Sequence, residues 1–281
     1  MTKSIVTIII FISGVLIGCA NVDVGSISRI AQQSLQAARP LSDQEEYYIG
    51  RAVGARLLST YPLLENDNLT EYVNLVGQTI AIHSDDPITY GGYHFAVLDT
   101  DEINAFASPG GIILITKGMI DQTQSEDELA AVLAHEVAHI NHKDGVSAIQ
   151  KARLTGVATL IATEAAKSYS PAEISKLVSL FEGSVDDVFK TLVINGYGKS
   201  QEYSADESAL IYLSRAGYDP QALEIVLERL MQQGQASSGG IMKTHPATGD
   251  RIERVKRETT PGAVDQSLVE LRMERFEKAV K

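Results

Sequence analysis

The run His135-Glu136-Val137-Ala138-His139 constrains this chain more than any other five residues. Residues four apart stand one turn above each other on a helix, so both imidazoles can reach one cation, while Glu136 leans toward a water beside it. The pattern thus predicts a helix and a chemistry together: a zinc site with a base built in. The flanking residues agree. Ser125 reads as an N-cap with Glu128 three residues on, the form of a capping box, and Glu126, Asp127 and Glu128 suit the positive end of the helix dipole. Leu129, Val132, Leu133, Val137 and Ile140 recur at helical spacing, which predicts a buried face. Asp144-Gly145 offers an irregularity or an end.

At 281 residues and 44% hydrophobic composition, the chain can bury a core as one domain with appendages. A formal net charge of -12 argues against nucleic acid as a partner and against adsorption to an anionic membrane surface. The N-terminus nevertheless points to a membrane. Lys3 and the apolar run 5–17 have the form of a signal peptide, and the run is short for a spanning helix. Leu16-Ile17-Gly18-Cys19 resembles the lipobox of bacterial lipoproteins, and Cys19 is the one cysteine in the chain. A single thiol forms no intramolecular disulfide, so lipidation of Cys19 is the expectation. By resemblance to lipoprotein sorting, Ala20 after it favours the outer over the inner membrane, so the expectation is a chain outside the cytoplasm, lipid-anchored on the periplasmic face.

The expected organisation is a signal peptide over 1–18, a tether over 19–40, a domain carrying the zinc motif over 41–260 and a terminal helix over 261–281. Ser42 and Glu45 form a second capping box, opening a helix with Ile49, Val53 and Leu57 on one face. Leu69, Tyr72, Val73, Val76 and Ile80 mark another. Around 95–98 and 112–116 the period shortens to that of strands, with Pro109-Gly110-Gly111 as a turn signal. Helices are expected over 154–167, 172–194, 201–215, 220–232 and 266–281, the last packed by Leu268, Leu271, Met273 and Phe276. The fold class is α+β, predominantly helical, with a small sheet ahead of the zinc helix.

Catalytic zinc takes three protein ligands and an open position. A third histidine at the extended spacing is ruled out, because residue 142 is His where a glycine belongs and residue 145 is Gly where the ligand belongs. A carboxylate from another helix remains. Within Gln201-Glu202-Tyr203-Ser204-Ala205-Asp206-Glu207, Glu202 and Asp206 are four apart, so one can ligate while the other accepts from a ligating imidazole. A solvated acidic face is the plain alternative for the same residues. Ala205 leaves room for a second helix to approach.

These motifs, with the preceding Asn104-Ala-Phe-Ala-Ser-Pro-Gly-Gly-Ile-Ile-Leu-Ile-Thr-Lys-Gly and the later Thr244-His245-Pro246 and Arg251, resemble the zinc metalloendopeptidase family that includes HtpX, the type I CAAX prenyl protease, BepA and LoiP. The resemblance covers about residues 42–258. It implies one zinc per chain on His135, His139 and Glu202, Glu136 as base, Asp206 orienting a ligand, and Asn104, Ile112, Ile113, Leu114 and Arg251 along a substrate cleft. It implies a zincin-like domain and cleavage of unfolded or misassembled polypeptides, with strand 112–116 as an edge able to pair with an extended substrate. His245 has two readings: an oxyanion donor, or a fourth ligand that silences the zinc. The rival function is a membrane-tethered, chaperone-like binding protein with a closed or structural zinc site.

Overall fold

A computed structural model describes residues 40–147, 188–234, 241–246, 248–259 and 266–280. Cys19, the signal peptide and tether, and the expected helix at 154–167 lie outside these residues, as does most of the one at 172–194. The elements are α1 (Asp43–Thr60), α2 (Asp67–Ile82), β1 (His94–Leu98), β2 (Ala105–Ser108), β3 (Ile112–Thr116), α3 (Lys117–Ile120), α4 (Glu126–Asn141), a π-helical turn (Thr191–Asn195), α5 (Lys199–Ala216), α6 (Gln221–Gly234), α7 (Ile241–Thr244), α8 (Gly249–Glu258) and α9 (Gln266–Val280). No helix among the described residues is long and apolar enough to cross a membrane.

The domain is built around α4, which carries the histidine pair. Every residue from Glu126 to Ile140 is buried, not one face only. α2, α5, α6, α9 and the sheet all pack on it, so its small residues Ala130, Ala131, Ala134 and Ala138, each 0% exposed, are what let neighbours approach closely. The expected apolar faces of α1 and α2 are where burial is deepest: Val53, Leu57, Val73 and Ile80 are fully enclosed.

Burial gives the acids at the start of α4 partners that helix-dipole reasoning does not supply. Glu126 accepts from the Tyr72 and Tyr218 hydroxyls at 3.1 Å each and from Arg275, Asp127 accepts from the Asp219 backbone at 2.8 Å, and Glu128 accepts from Arg229. Ser125 caps the helix as expected, by accepting from Glu128 N–H. Glu128, however, accepts from Gln124 N–H at 2.7 Å, so the reciprocal box seen at Ser42 and Glu45 does not close here; the bond to Arg229 holds Glu128 instead.

The sheet has three strands in the order β1-β3-β2, β3 parallel to β1 and antiparallel to β2. β2 and β3 form a hairpin through Pro109-Gly110-Gly111, where Gly110 and Gly111 take φ of 78° and 105°, a region open to glycine. The expectation that 112–116 is an edge is corrected by this topology. Ile112, Ile113 and Leu114 are bonded to strands on both sides, and Ile113 and Leu114 are buried. Of the two outer strands, β1 and β2, the one that packs on α4 is β2, and its residues are buried as well.

α9 docks differently from the expected apolar packing. Phe276 is buried in the same core as α2 and α4, but Leu268, Leu271 and Met273 are exposed. Arg272 and Arg275 complete the attachment, reaching the Gly217 carbonyl and Glu126.

Candidate active site

Three elements bring their donors to one point. α4 supplies His135 and His139, α5 supplies Glu202, and the segment after α7 supplies His245; one donor atom from each lies within 4.8 Å of all the others, and all four residues are buried. His135 Nε2 is 3.1 Å from His139 Nε2 and 3.3 Å from His245 Nδ1. Glu202 Oε1 is 3.0 Å from His245 Nδ1 and 3.6 Å from His139 Nε2. Four donors set about 2 Å from a common tetrahedral centre stand about 3.3 Å apart, so this cluster fits a zinc ion.

Glu136 lies beside the cluster at 0% exposure, and neither carboxylate oxygen has a hydrogen-bond partner. A buried unpartnered carboxylate is costly and calls for a proton, a water or a cation to face. His245 Nε2 is 3.9 Å from Glu136 Oε1.

Behind the donors stands a shell of carboxylates and one guanidinium. Asp206 Oδ1 is 3.0 Å from His135 Nδ1, though off the line of a well-formed bond, since that nitrogen makes none by strict geometry. Arg251 holds Asp206 in a fork, Nε to Oδ2 at 2.8 Å and Nη2 to Oδ1 at 2.7 Å, and its Nη1 is 2.6 Å from Glu202 Oε2. Arg251, which the resemblance implied along the cleft, is a buried clamp, 3% exposed. The physical reason is that Glu202 and Asp206 on one helix face concentrate negative charge that burial leaves without water.

Asn104 is likewise buried at the start of β2. Its Oδ1 accepts from Ala105 N–H at 2.9 Å and from the Thr244 hydroxyl at 3.4 Å. It joins the sheet to the His245 segment, which is further pinned by Tyr197 N–H to Thr244 C=O and His245 N–H to Ile241 C=O. His245 is thus a fixed member of the cluster and not a surface histidine.

Charge in the shell moves the titrations in opposite directions. Burial disfavours a charged His135, but the close carboxylates of Asp206 and Glu202 outweigh it and push the imidazole up to about 10. Burial, with the neighbouring imidazoles, holds His139 below its ordinary value despite the bond to Asp144. Burial opposes ionisation of Glu202 and Asp206 as well. His245, His135 and Arg251 overcome it at Glu202, and Arg251 and His135 at Asp206, so both carboxyls titrate below their usual range.

Three residues of this shell escaped the sequence reading. Asp144 Oδ2 is 2.7 Å from His139 Nδ1, Gln201 Nε2 donates to Asp144 Oδ1 at 2.8 Å, and Tyr197 stacks on His139 with ring centres 4.2 Å apart. No spacing signal marks Asp144, because position i+5 lies about 140° round a regular helix from His139. The chain brings it back through Lys143, a non-glycine residue at φ 56°, a conformation that costs about 1–2 kcal/mol. His142, by contrast, turns away to Ser208.

The family model described as peptidase family M48 matches residues 67–259. The beta-barrel assembly-enhancing protease of Escherichia coli (strain K12) is 28% identical over 233 residues, covering 81% of this chain and 46% of that protein. The chain thus spans about half the length of that relative. The metalloprotease LoiP of the same organism is 24% identical over 253 residues, covering 87% of this chain and 92% of its own. A protease HtpX homolog of Salinibacter ruber (strain DSM 13855 / M31) is 29% identical over 183 residues, covering 57% of this chain and 66% of that one.

Proposed function

The chain belongs to peptidase family M48, and from that premise we propose that it is a zinc-dependent endopeptidase that cleaves unfolded or misassembled proteins of the cell envelope. The observation that carries this reading is the buried convergence of His135, His139, Glu202 and His245 beside an unpartnered Glu136. Zinc on His135, His139 and Glu202 would supply Lewis acidity, polarising a carbonyl oxygen and acidifying a water. Glu136 takes the proton from the attacking water on a carboxylate oxygen and hands it to the nitrogen of the leaving amine. Asp206 orients His135, and Arg251 holds Asp206 and Glu202 in register.

Membership of a peptidase family supports a polypeptide as the substrate. The name of the Escherichia coli beta-barrel assembly-enhancing protease supports an envelope role. The Leu16-Ile17-Gly18-Cys19 motif supports a lipid anchor on Cys19 at the periplasmic face of the outer membrane.

Glu136→Gln tests the base. The variant should retain one zinc per chain and lose at least a hundredfold in turnover of an unfolded casein-type substrate. Turnover at the unsubstituted rate refutes Glu136 as the base.

A second reading rests on His245 Nδ1, which sits 3.0 Å from Glu202 Oε1 and 3.3 Å from His135 Nε2. As a fourth ligand it closes the site, giving a latent protease or a binding protein with structural zinc.

A further inference from the structure

We propose that Asp144 is the positioning residue for His139, and that Gln201 locks Asp144 in place from the helix that carries Glu202. The proposal rests on the zinc reading above and adds to it two residues that couple the two ligand-bearing helices.

The hydrogen-bond directions along this chain are fixed at every link. Gly198 N–H donates to Gln201 Oε1 at 3.1 Å, which sets the amide orientation and leaves Nε2 as the donor to Asp144 Oδ1 at 2.8 Å. The other carboxylate oxygen, Oδ2, faces His139 Nδ1 at 2.7 Å. An ionised carboxylate only accepts, so His139 carries its proton on Nδ1 and presents the Nε2 lone pair to the donor cluster. Among the described residues Asp144 is the hydrogen-bond partner of that Nδ1.

The same residues fix the ring in space. Tyr197 stacks on one face of His139, and the imidazole is wholly enclosed, its side chain at 0% exposure. The backbone is committed to this arrangement. Lys143 in the left-handed region turns Asp144 back beneath His139, and its ammonium is held by Asp43 Oδ1 at 3.1 Å and Glu46 Oε1 at 2.9 Å. Asp43 and Glu46 belong to α1, which lies ahead of the matched family region.

The two ligating histidines are therefore held unequally. Asp206 approaches His135 at 3.0 Å but off line, whereas Asp144 makes a direct bond to His139. Because Gln201 immediately precedes Glu202, any shift of α5 that moves the carboxylate ligand also loosens the grip on His139. The carboxylate–imidazole pair and the third ligand respond as one unit, a relation that supports metal affinity as well as orientation.

The test uses the full chain with Asp144→Ala, Asp144→Asn and Gln201→Leu, each measured for zinc affinity by competition with a chromophoric chelator and for the visible spectrum after cobalt substitution. Asp144→Ala should weaken zinc about 10–100-fold. Asp144→Asn, whose side-chain carbonyl can still accept from Nδ1, should fall between it and the unsubstituted chain, and Gln201→Leu should weaken zinc several-fold. The cobalt bands should shift in Asp144→Ala, which a merely structural role would not cause in the folded fraction. Zinc held within twofold of the unsubstituted value by the folded Asp144 variants overturns the proposal. If Asp144→Ala does not fold, Asp144→Asn and Gln201→Leu decide it by the same threshold. An unsubstituted chain that binds no zinc refutes the zinc reading and this proposal with it, whereas zinc binding that is lost in Glu202→Ala and untouched in the Asp144 variants refutes this proposal alone.

Discussion

Arg251 grips Asp206 through a two-pronged fork, with bonds of 2.8 and 2.7 Å, while its remaining nitrogen lies 2.6 Å from Glu202. One guanidinium thus neutralises the ligand carboxylate and the carboxylate behind His135 together. Arg251→Met takes the guanidinium from two buried carboxylates and leaves them facing imidazoles, which should cost about 3–5 kcal/mol. Arg251→Lys should recover little, because an ammonium lacks the fork. Chemical denaturation in the presence of a chelator measures both.

Acid should unfold the protein through the same pair. Asp206 titrates below its ordinary 3.8 in the fold, because Arg251 and His135 outweigh the effect of burial. A depressed carboxyl contributes stability that is present above its unfolded value and is lost as pH falls through the folded one. Circular dichroism against pH, with chelator present, should show Arg251→Met unfolding at higher pH than the unsubstituted chain. Coincident midpoints would remove Arg251 as the cause of the shift.

His245 distinguishes an open site from a closed one. Its Nδ1 stands at a donor position of the cluster, so His245→Ala should weaken zinc modestly and raise basal peptidase activity several-fold. A drop of more than tenfold in turnover with zinc retained would instead assign His245 to the oxyanion.

Gly50 marks the closest approach of α1 to the sheet. A Cβ there would sit 1.8 Å from the Pro109 carbonyl oxygen, a backbone atom of the β2–β3 turn that cannot swing aside. Gly50→Ala should lower the melting temperature by an amount corresponding to at least the ~1–3 kcal/mol typical of overpacking. Gly54→Ala, whose Cβ would meet only Ile112 at 3.6 Å, is the control and should be near neutral.

α9 should matter to stability through Arg275. Removing it by Arg275→Ala leaves Glu126, 1% exposed, with the Tyr72 and Tyr218 hydroxyls among the described residues. The expected loss is about 2–4 kcal/mol, less than a fully buried pair because Arg275 is itself partly exposed. Calorimetry of Arg275→Ala beside Glu126→Gln checks it. A neutral result for Arg275→Ala would show that the hydroxyls suffice.

What the sequence determined by itself was local and periodic. The histidine pair reads from i, i+4 geometry, the acidic candidates Glu202 and Asp206 from the same rule, and the apolar faces of α1 and α2 from residues such as Val53 and Ile80. Only the tertiary structure decided the rest. β3 proved central because β2, too short and plain in Ala105-Phe-Ala-Ser108 to read as a strand, pairs along its second side. Arg251 became a clamp because two carboxylates on α5 were buried together, a consequence of packing that no spacing records. Asp144 reached His139 because one left-handed residue broke the helical phase between them. Sequence patterns carry the phase of a single helix or strand, whereas hydrogen bonds between elements depend on distances set when those elements pack.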